Sequence, residues 1–144
     1  MIKNQWYVAE DSAAITANTR KRVRLCGLDF VLWRNEAGKV SCLSDVCIHR
    51  GASLGGGLVV EGDIECPYHG WRFGSDGACT RIPSLGKDAP ISPRARVDAY
   101  PVIEQYGWIW VFLGDAPEDE RPPLPDFPEF TAQGWRTIRG EYFW

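Results

Sequence analysis

Four residues with metal-binding side chains lie in two short stretches of the sequence. Cys47 and His49 form a Cys-x-His pair, and after sixteen intervening residues Cys66 and His69 form a Cys-x-x-His pair. Each pair offers one thiolate and one imidazole, which are common ligands of zinc and iron. The chain has only two histidines, and each follows a cysteine by two or three residues. The spacing therefore predicts a metal centre held jointly by the two stretches.

The way the ligands are paired indicates the kind of centre. Zinc sites usually draw on Cys-x2–4-Cys and His-x3–5-His pairs, whereas both pairs here are mixed. In a Rieske-type [2Fe–2S] cluster, two cysteines bind one iron and two histidines bind the other. Glycines at positions 51, 55, 56, 57 and 70 would let backbone amides approach the cluster sulfurs. The pattern favours this cluster over structural zinc, and over buried cysteines and hydrogen-bonded histidines without a metal.

A cluster with these ligands would carry single electrons. Two ferric ions, two sulfides, two thiolates and two neutral imidazoles sum to zero charge, so an added electron costs less than in a four-cysteine cluster. In the high-potential type, extra cysteines beside the ligands form a disulfide, but here those neighbours are Ala52 and Tyr68. We therefore expect a potential near the bottom of the range of about −150 to +300 mV. Arg50 and Arg72 are expected either to tune the field or dock an acidic partner, or to form surface salt bridges.

Composition and charge narrow the functional classes. The chain has 144 residues, 44% of them hydrophobic, and a net charge of −3, which indicates a globular domain and no nucleic-acid partner. The sequence shows no membrane span and no secretory signal, so we expect no membrane partner and a cytoplasmic location. An odd count of five cysteines speaks against a disulfide framework. Cys26, Cys42 and Cys79 are expected to be small, buried or half-buried hydrophobic residues.

Short β-rich runs separated by turn signals predict an antiparallel all-β domain. Hairpins are expected over residues 30–43 with a turn at 35–38, over 58–66 with a turn at 61–63, and around Asp76-Gly77. The basic stretch 20–24 is expected at a solvated strand edge, and residues 108–113 as a buried strand entered by a turn at Tyr106-Gly107. Residues 10–17 are expected to form one short helix, capped near Asp11 or Ser12.

The composition changes after Leu113. Prolines at positions 117, 122, 123, 125 and 128 alternate with acidic residues, which predicts an extended segment without a regular ladder. Residues 134–144 are rich in aromatic side chains and predict one more strand. We therefore expect a [2Fe–2S] domain over residues 1–115, a proline-rich linker over 116–133, and in 134–144 the first strand of a second domain that the chain does not complete.

The two loops resemble a known family in their neighbours as well as their ligands. The motifs Cys47-x-His49-Arg50-Gly51 and Cys66-Pro67-Tyr68-His69-Gly70-Trp71-x-Phe73, with the opening Trp6-Tyr7-Val8-Ala9 and the strand at 106–112, are similar to the α-subunits of Rieske non-haem iron oxygenases. The nearest likeness is to their demethylase-like and pheophorbide-oxygenase-like branch.

This resemblance implies three small antiparallel sheets with the cluster on two hairpin loops. It also implies a separate catalytic domain with a mononuclear Fe(II), held by two histidines and a carboxylate, as electron acceptor. A flavin reductase or ferredoxin would be the donor, and the reaction would be hydroxylation or demethylation of an organic, often aromatic, substrate.

The histidine count departs from that pattern. His49 and His69 are the only histidines, so if the cluster uses both, the chain holds no mononuclear iron and we expect no catalytic residue in it. The leading hypothesis is the electron-transfer domain of a Rieske oxygenase. The alternative is a stand-alone Rieske ferredoxin-like carrier, in which residues 142–144 would be buried against the same chain. A structural zinc or protein-interaction module is a third hypothesis.

Overall fold

The chain is described by a computed structural model that covers residues 1–138. It consists of short strands joined by tight turns and a few single 3-10 turns, and its class is all-β. The strands are β1 Gln5–Asp11, β2 Thr19–Leu25, β3 Leu28–Arg34, β4 Val40–Ser44, β5 Leu58–Val60, β6 Asp63–Glu65, β7 Arg72–Phe73, β8 Cys79–Arg81, β9 Ala99–Tyr100, β10 Val102–Gln105 and β11 Trp108–Leu113. The 3-10 turns are Ser12–Ala14, Leu54–Gly56, Pro83–Leu85, Glu118–Glu120 and Pro128–Phe130.

The strands form three antiparallel sheets. The first has the order β1-β11-β10, the second β2-β3-β4-β9, and the third β5-β6-β7-β8. The three hairpins expected from the sequence are confirmed as β3–β4, β5–β6 and β7–β8. The basic strand β2 lies at the edge of the second sheet, also as expected.

Two hairpins show how turn chemistry sets the register. Tyr106 and Gly107 join β10 to β11 with φ angles of 58° and 75°. Cys26 and Gly27 join β2 to β3 with φ angles of 51° and 83°. Two successive positive φ angles define the type I′ turn, whose twist matches that of the flanking strands. The first of these turns confirms the one expected at the entrance of β11.

Strand β3 divides the core into two clusters. Phe30 and Leu32 face one cluster with the apolar side chains of β11, whereas Val31 and Trp33 face the other. Because both faces of β3 are buried, its sequence is a continuous apolar run instead of an alternating one. The cluster that contains Trp33 also contains Cys47 and Cys66, so both cysteines of the predicted metal centre rest on the hydrophobic core.

Two local expectations were wrong. Residues 10–17 do not form a helix, because pairing with β11 keeps the backbone extended through Asp11, and a single 3-10 turn follows with Asp11 as its cap. Cys26 is exposed because it occupies a hairpin turn. Cys42 and Cys79 are buried, as expected for small hydrophobic residues.

The segment after β11 contains no strand within the described residues, in accord with its prolines. It nevertheless contacts the first sheet, since the Trp6 indole donates to the Pro122 carbonyl at 2.8 Å and the Tyr106 hydroxyl bonds to Asp126 at 3.1 Å. Residues 134–138 lack regular structure. The rest of the strand expected over 134–144, with the aromatic residues 142–144, lies outside the described residues, so the domain boundaries stay a prediction.

The start of β1 and the end of β11 are joined. The Asn4 amide donates to the Leu113 carbonyl at 2.8 Å. The Asn4 side-chain oxygen accepts from the amides of Asp115 and Ala116 at 3.0 and 3.1 Å. The backbone thus leaves the three sheets beside the place where it enters them. None of the helical turns within residues 1–138 has the length or apolarity to cross a membrane.

Candidate metal centre

The four predicted ligands lie on two loops with matching backbone geometry. The first loop, residues 45–57, joins β4 to β5, and the second loop, residues 66–71, joins β6 to β7. In the first, the Cys47 amide donates to the Ala52 carbonyl and the Gly51 amide to the Cys47 carbonyl, both at 2.8 Å. In the second, the Cys66 amide donates to Trp71 at 2.8 Å and Gly70 to Cys66 at 3.1 Å.

Each turn closes on a glycine with a left-handed backbone. Gly51 has a φ of 72° and Gly70 a φ of 69°, a region that side chains make costly. The two loops are therefore local repeats of one structure. Each presents a cysteine at its base and a histidine on its turn.

The two cysteine side chains are buried in the same hydrophobic cluster. Cys47 is 1% exposed and Cys66 is 3% exposed, and the two thiols lie close enough to influence each other's charge. Burial raises the pKa of the Cys47 thiol to about 11, while the His49 and Arg50 amides bonded to its sulfur act in the opposite direction. Amide donors aimed at a cysteine sulfur would stabilise a thiolate bound to iron.

The two histidine rings lie together and are exposed. Their centroids are 4.7 Å apart, with the ring planes at 65°. Loss of solvation, with the nearby His69 and Arg50 charges, lowers the pKa of His49, which favours the neutral imidazole that binds a metal. Within residues 1–138, no group of three or more His, Cys, Asp or Glu side chains is placed to hold one metal ion.

Aromatic rings from the second loop contact both imidazoles. The Trp71 ring stacks on His49 with centroids 4.6 Å apart and planes at 6°. Tyr68 leans against His69 at 3.9 Å with planes at 37°. Both residues belong to the motif of the second loop, but a ring contact with a ligand histidine was expected for neither. Both residues lie one or two positions from His69 in the sequence, which was the available signal.

A buried carboxylate braces the first loop. Asp45 is 3% exposed, and it accepts hydrogen bonds from the Ser53 hydroxyl and the Gly55 amide, both at 2.6 Å. Arg22 on β2 pairs with the same carboxylate at 3.0 Å. Sequence reasoning missed Asp45, because its partners are distant in the chain.

The two arginines beside the ligands have different settings. Arg72 is 12% exposed in its side chain and pairs with Glu65 and Glu61, both at 2.6 Å, and these carboxylates raise its pKa. It therefore belongs to a salt-bridge network at the base of the second loop. Arg50 is exposed on the turn that carries His49 and forms no ion pair with any described residue.

The donor set fits a [2Fe–2S] group. Two adjacent buried thiols and two adjacent imidazoles form separate pairs, which is what a cluster with cysteines on one iron and histidines on the other requires. The first loop also approaches the second closely at Gly57, since a Cβ there would collide with the Glu65 carbonyl beside Cys66.

Comparison with known proteins decides the family. Residues 5–106 match the family described as Rieske [2Fe-2S] domain. The chain belongs to this family. A Rieske domain carries an iron–sulfur cluster, so this membership settles the choice between iron–sulfur and zinc in favour of iron–sulfur.

Several relatives of this Rieske domain are oxygenases. Chlorophyllide a oxygenase of Chlamydomonas reinhardtii is 44% identical over 89% of this chain and 19% of its own length. The 4beta-methylsterol monooxygenase of Methylococcus capsulatus is 42% identical over 90% of this chain and 35% of its own. The crystal structure of dicamba monooxygenase superimposes with a TM-score of 0.83 at 30% identity, over 97% of this chain and 44% of that one.

The chain thus spans about a fifth to less than half of the length of these relatives. Their Rieske domains show the fold of this chain and its place in the family. Their activities depend on whole proteins that are two to five times longer, so activity, substrate and partners belong to the proposals below.

Proposed function

We propose that this chain is the electron-transfer domain of a Rieske oxygenase, with Cys47 and Cys66 binding one iron of a [2Fe–2S] cluster and His49 and His69 binding the other. The cluster, when bound, accepts and releases one electron at a time. The observation that carries the proposal is the pairing on two equivalent loops, with thiols together in the core and imidazoles together at the surface.

The split between buried and exposed ligands assigns different tasks to the two pairs. Cys47 and Cys66 lie in a dry cluster with Trp33, Leu54 and other apolar side chains, which shields their side of the site from water. His49 and His69 are exposed, and each ring keeps a second nitrogen that can donate to a carboxylate of a partner. The histidine side is therefore the side from which an electron leaves.

The proposed acceptor is a catalytic domain with a mononuclear Fe(II). If the cluster uses both histidines of the chain, two histidines for a facial iron site must come from elsewhere. The donor would be a flavin reductase or ferredoxin, and the substrate an organic, often aromatic, molecule to be hydroxylated or demethylated. The names of the relatives, which include a dicamba O-demethylase and a methylsterol monooxygenase, support this class of reaction.

A cytoplasmic location stays a proposal. The relative from Chlamydomonas reinhardtii is named as a chloroplastic protein, so members of the group differ in location. Fractionation of the source cells with an antibody against this chain would test it, and recovery in an organelle or membrane fraction would contradict it.

Metal analysis and spectroscopy test the ligand assignment. The wild-type chain should contain two irons and two acid-labile sulfides, with the spectrum of a mixed Cys/His cluster. Cys47→Ala and Cys66→Ala should lose the cluster. Cys79→Ala is the matched control, because Cys79 is buried in the same hydrophobic cluster but lies on β8, outside both loops. One zinc per chain, or equal iron loss in all three variants, would contradict the assignment.

A histidine replacement tests the division between the two irons. His69→Cys should keep a cluster only if the loop tolerates the change, and should lower its midpoint potential, because a thiolate adds negative charge. An unchanged spectrum and potential would show that His69 is not a ligand. For the wild type, Ala52 and Tyr68 leave no cysteine beside the ligands to form a disulfide between the loops. We therefore expect a low potential, and a midpoint above about +100 mV would contradict that.

A further inference from the structure

Trp71 links the two loops through a ring contact. It belongs to the second loop, two residues after His69, yet its ring is stacked on His49 of the first loop. The centroids are 4.6 Å apart and the planes differ by only 6°. Face-parallel stacking at this distance constrains rotation of the imidazole about its side-chain bonds, because a large rotation would bring the two rings into collision or lose the stack.

Trp71 is itself held in place on two sides. Its carbonyl accepts the Cys66 amide at 2.8 Å, and its half-buried side chain packs on the hydrophobic cluster that includes both cysteines. The contact between Tyr68 and His69 is different, because Tyr68 is 59% exposed and its ring is tilted by 37°. Only the His49 ring is therefore stacked on a side chain that the core fixes.

The geometry points to Trp71 as a positioning residue that sets the plane of the His49 imidazole and so the orientation of its iron-binding nitrogen. This inference rests on the proposed function, since it concerns a ligand of the [2Fe–2S] cluster. Groups that orient a ligand histidine tune the metal as well as the ring. The indole face also carries negative electrostatic potential, which disfavours addition of an electron to a cluster bound through the stacked imidazole.

Two replacements of Trp71 distinguish the effect of ring stacking from the effect of packing volume. Trp71→Phe keeps a flat aromatic face that can stack on His49. Trp71→Leu places a smaller apolar side chain against the core, without a π face. Trp135→Leu is the control for loss of a tryptophan, because Trp135 is exposed and lies in the segment after β11. Each 144-residue chain is loaded with iron and sulfide, and three quantities are measured: iron per chain, the g values of the reduced cluster by EPR, and the midpoint potential.

We expect Trp71→Leu to change the g values and to raise the midpoint potential, while Trp71→Phe and Trp135→Leu stay close to the wild type. Equal shifts in Trp71→Leu and Trp71→Phe would overturn the inference, since packing volume and not ring stacking would then matter. Wild-type values in both Trp71 variants would overturn it as well.

A Trp71→Leu chain that takes up no iron also tests the inference. If Trp71→Leu takes up no iron but its metal-free chain has the circular dichroism of the wild type, the inference is supported, because the ring is then needed to present His49. If that chain is unfolded, the inference fails, because the role of Trp71 would be general packing. A wild-type chain without the EPR signal of a mixed Cys/His cluster would instead refute the proposed function.

Discussion

The two loops present the same backbone turn and the same pair of ligand types, but they are braced in different ways. The second loop is short and lies directly between the paired strands β6 and β7, where Glu65 faces Arg72 across the ladder. The first loop is longer, and its far end is tied back by the Asp45 carboxylate. The paired strands on either side of the second loop hold its ends together, so a salt bridge at its base is enough. The first loop has no such pair of strands, so the buried Asp45 carboxylate accepts the hydrogen bonds that a neighbouring strand would otherwise accept.

The contact between the loops gives the largest expected effect. Gly57 ends the first loop, and a Cβ there would collide with the backbone carbonyl of Glu65, next to Cys66. Gly57→Ala should therefore destabilise the fold by about 3 kcal/mol and lower the iron content by displacing both loops. Urea unfolding and iron analysis measure this.

The neighbouring glycine supplies the control for that prediction. A Cβ at Gly56 would have only the Pro67 ring at an ordinary contact distance of 3.6 Å. Gly56→Ala should change the free energy of unfolding by no more than about 0.5 kcal/mol. Equal effects at both positions would show that the approach of the first loop to Glu65 is not tight.

Loss of the Asp45 brace comes next. Asp45→Ala leaves the Ser53 hydroxyl and the Gly55 amide without their acceptor, and we expect a loss of about 2 kcal/mol. The effect should be confined to the first loop, so hydrogen exchange should speed up at Gly55 and not at Gly70. Asp29→Ala is the control, because Asp29 is the other carboxylate paired with Arg22 and lies outside both loops. Faster exchange in both loops would mean that they are not braced separately.

The salt bridge of the second loop should count for less. Arg72→Met removes the pairs with Glu65 and Glu61, and Glu61 is largely exposed, so its pair contributes little. We expect a loss of about 1 kcal/mol, because strands β6 and β7 still close the loop. A loss larger than that of Asp45→Ala in the same urea titration would reverse the comparison.

An ion pair remote from both loops gives the smallest effect. Arg34 bonds to Glu104 on β10 and lowers its pKa, with Ser12 assisting and partial burial opposing. The unfolded carboxyl binds a proton more readily than the folded one, so this stabilisation is present above its ordinary pKa and is lost as pH falls through the folded value.

Glu104→Gln should therefore cost about 0.5 kcal/mol near neutral pH and flatten the fall in stability on the acid side. Its iron content should equal that of the wild type, since the first sheet carries neither loop. Urea unfolding at pH 7 and at pH 4 measures the difference. A variant with the same acid dependence as the wild type, or with less iron, would contradict the prediction.

The features that could be predicted from the sequence are those formed by residues adjacent in the chain. Turn signals such as Asp76-Gly77 located the hairpins, and the spacing of the four predicted ligands located both loops. Hairpin turns and ligand loops are each built from a few consecutive residues. The Asp45 brace and the Trp71 stack escaped prediction, because Arg22 and His49 approach them only after folding. The expected helix at residues 10–17 failed for the same reason, since a strand about a hundred residues later holds Glu10 and Asp11 extended.

The Asn4 contacts carry a consequence for how such a domain is inherited. Because the backbone enters and leaves the three sheets at adjacent points, the two ends of the domain connect to the rest of a longer chain at one place on its surface. A unit of this kind can be inserted, exchanged between genes or fused to a new neighbour without breaking a strand. During evolution, a Rieske domain of this kind can be joined as one unit to different catalytic domains.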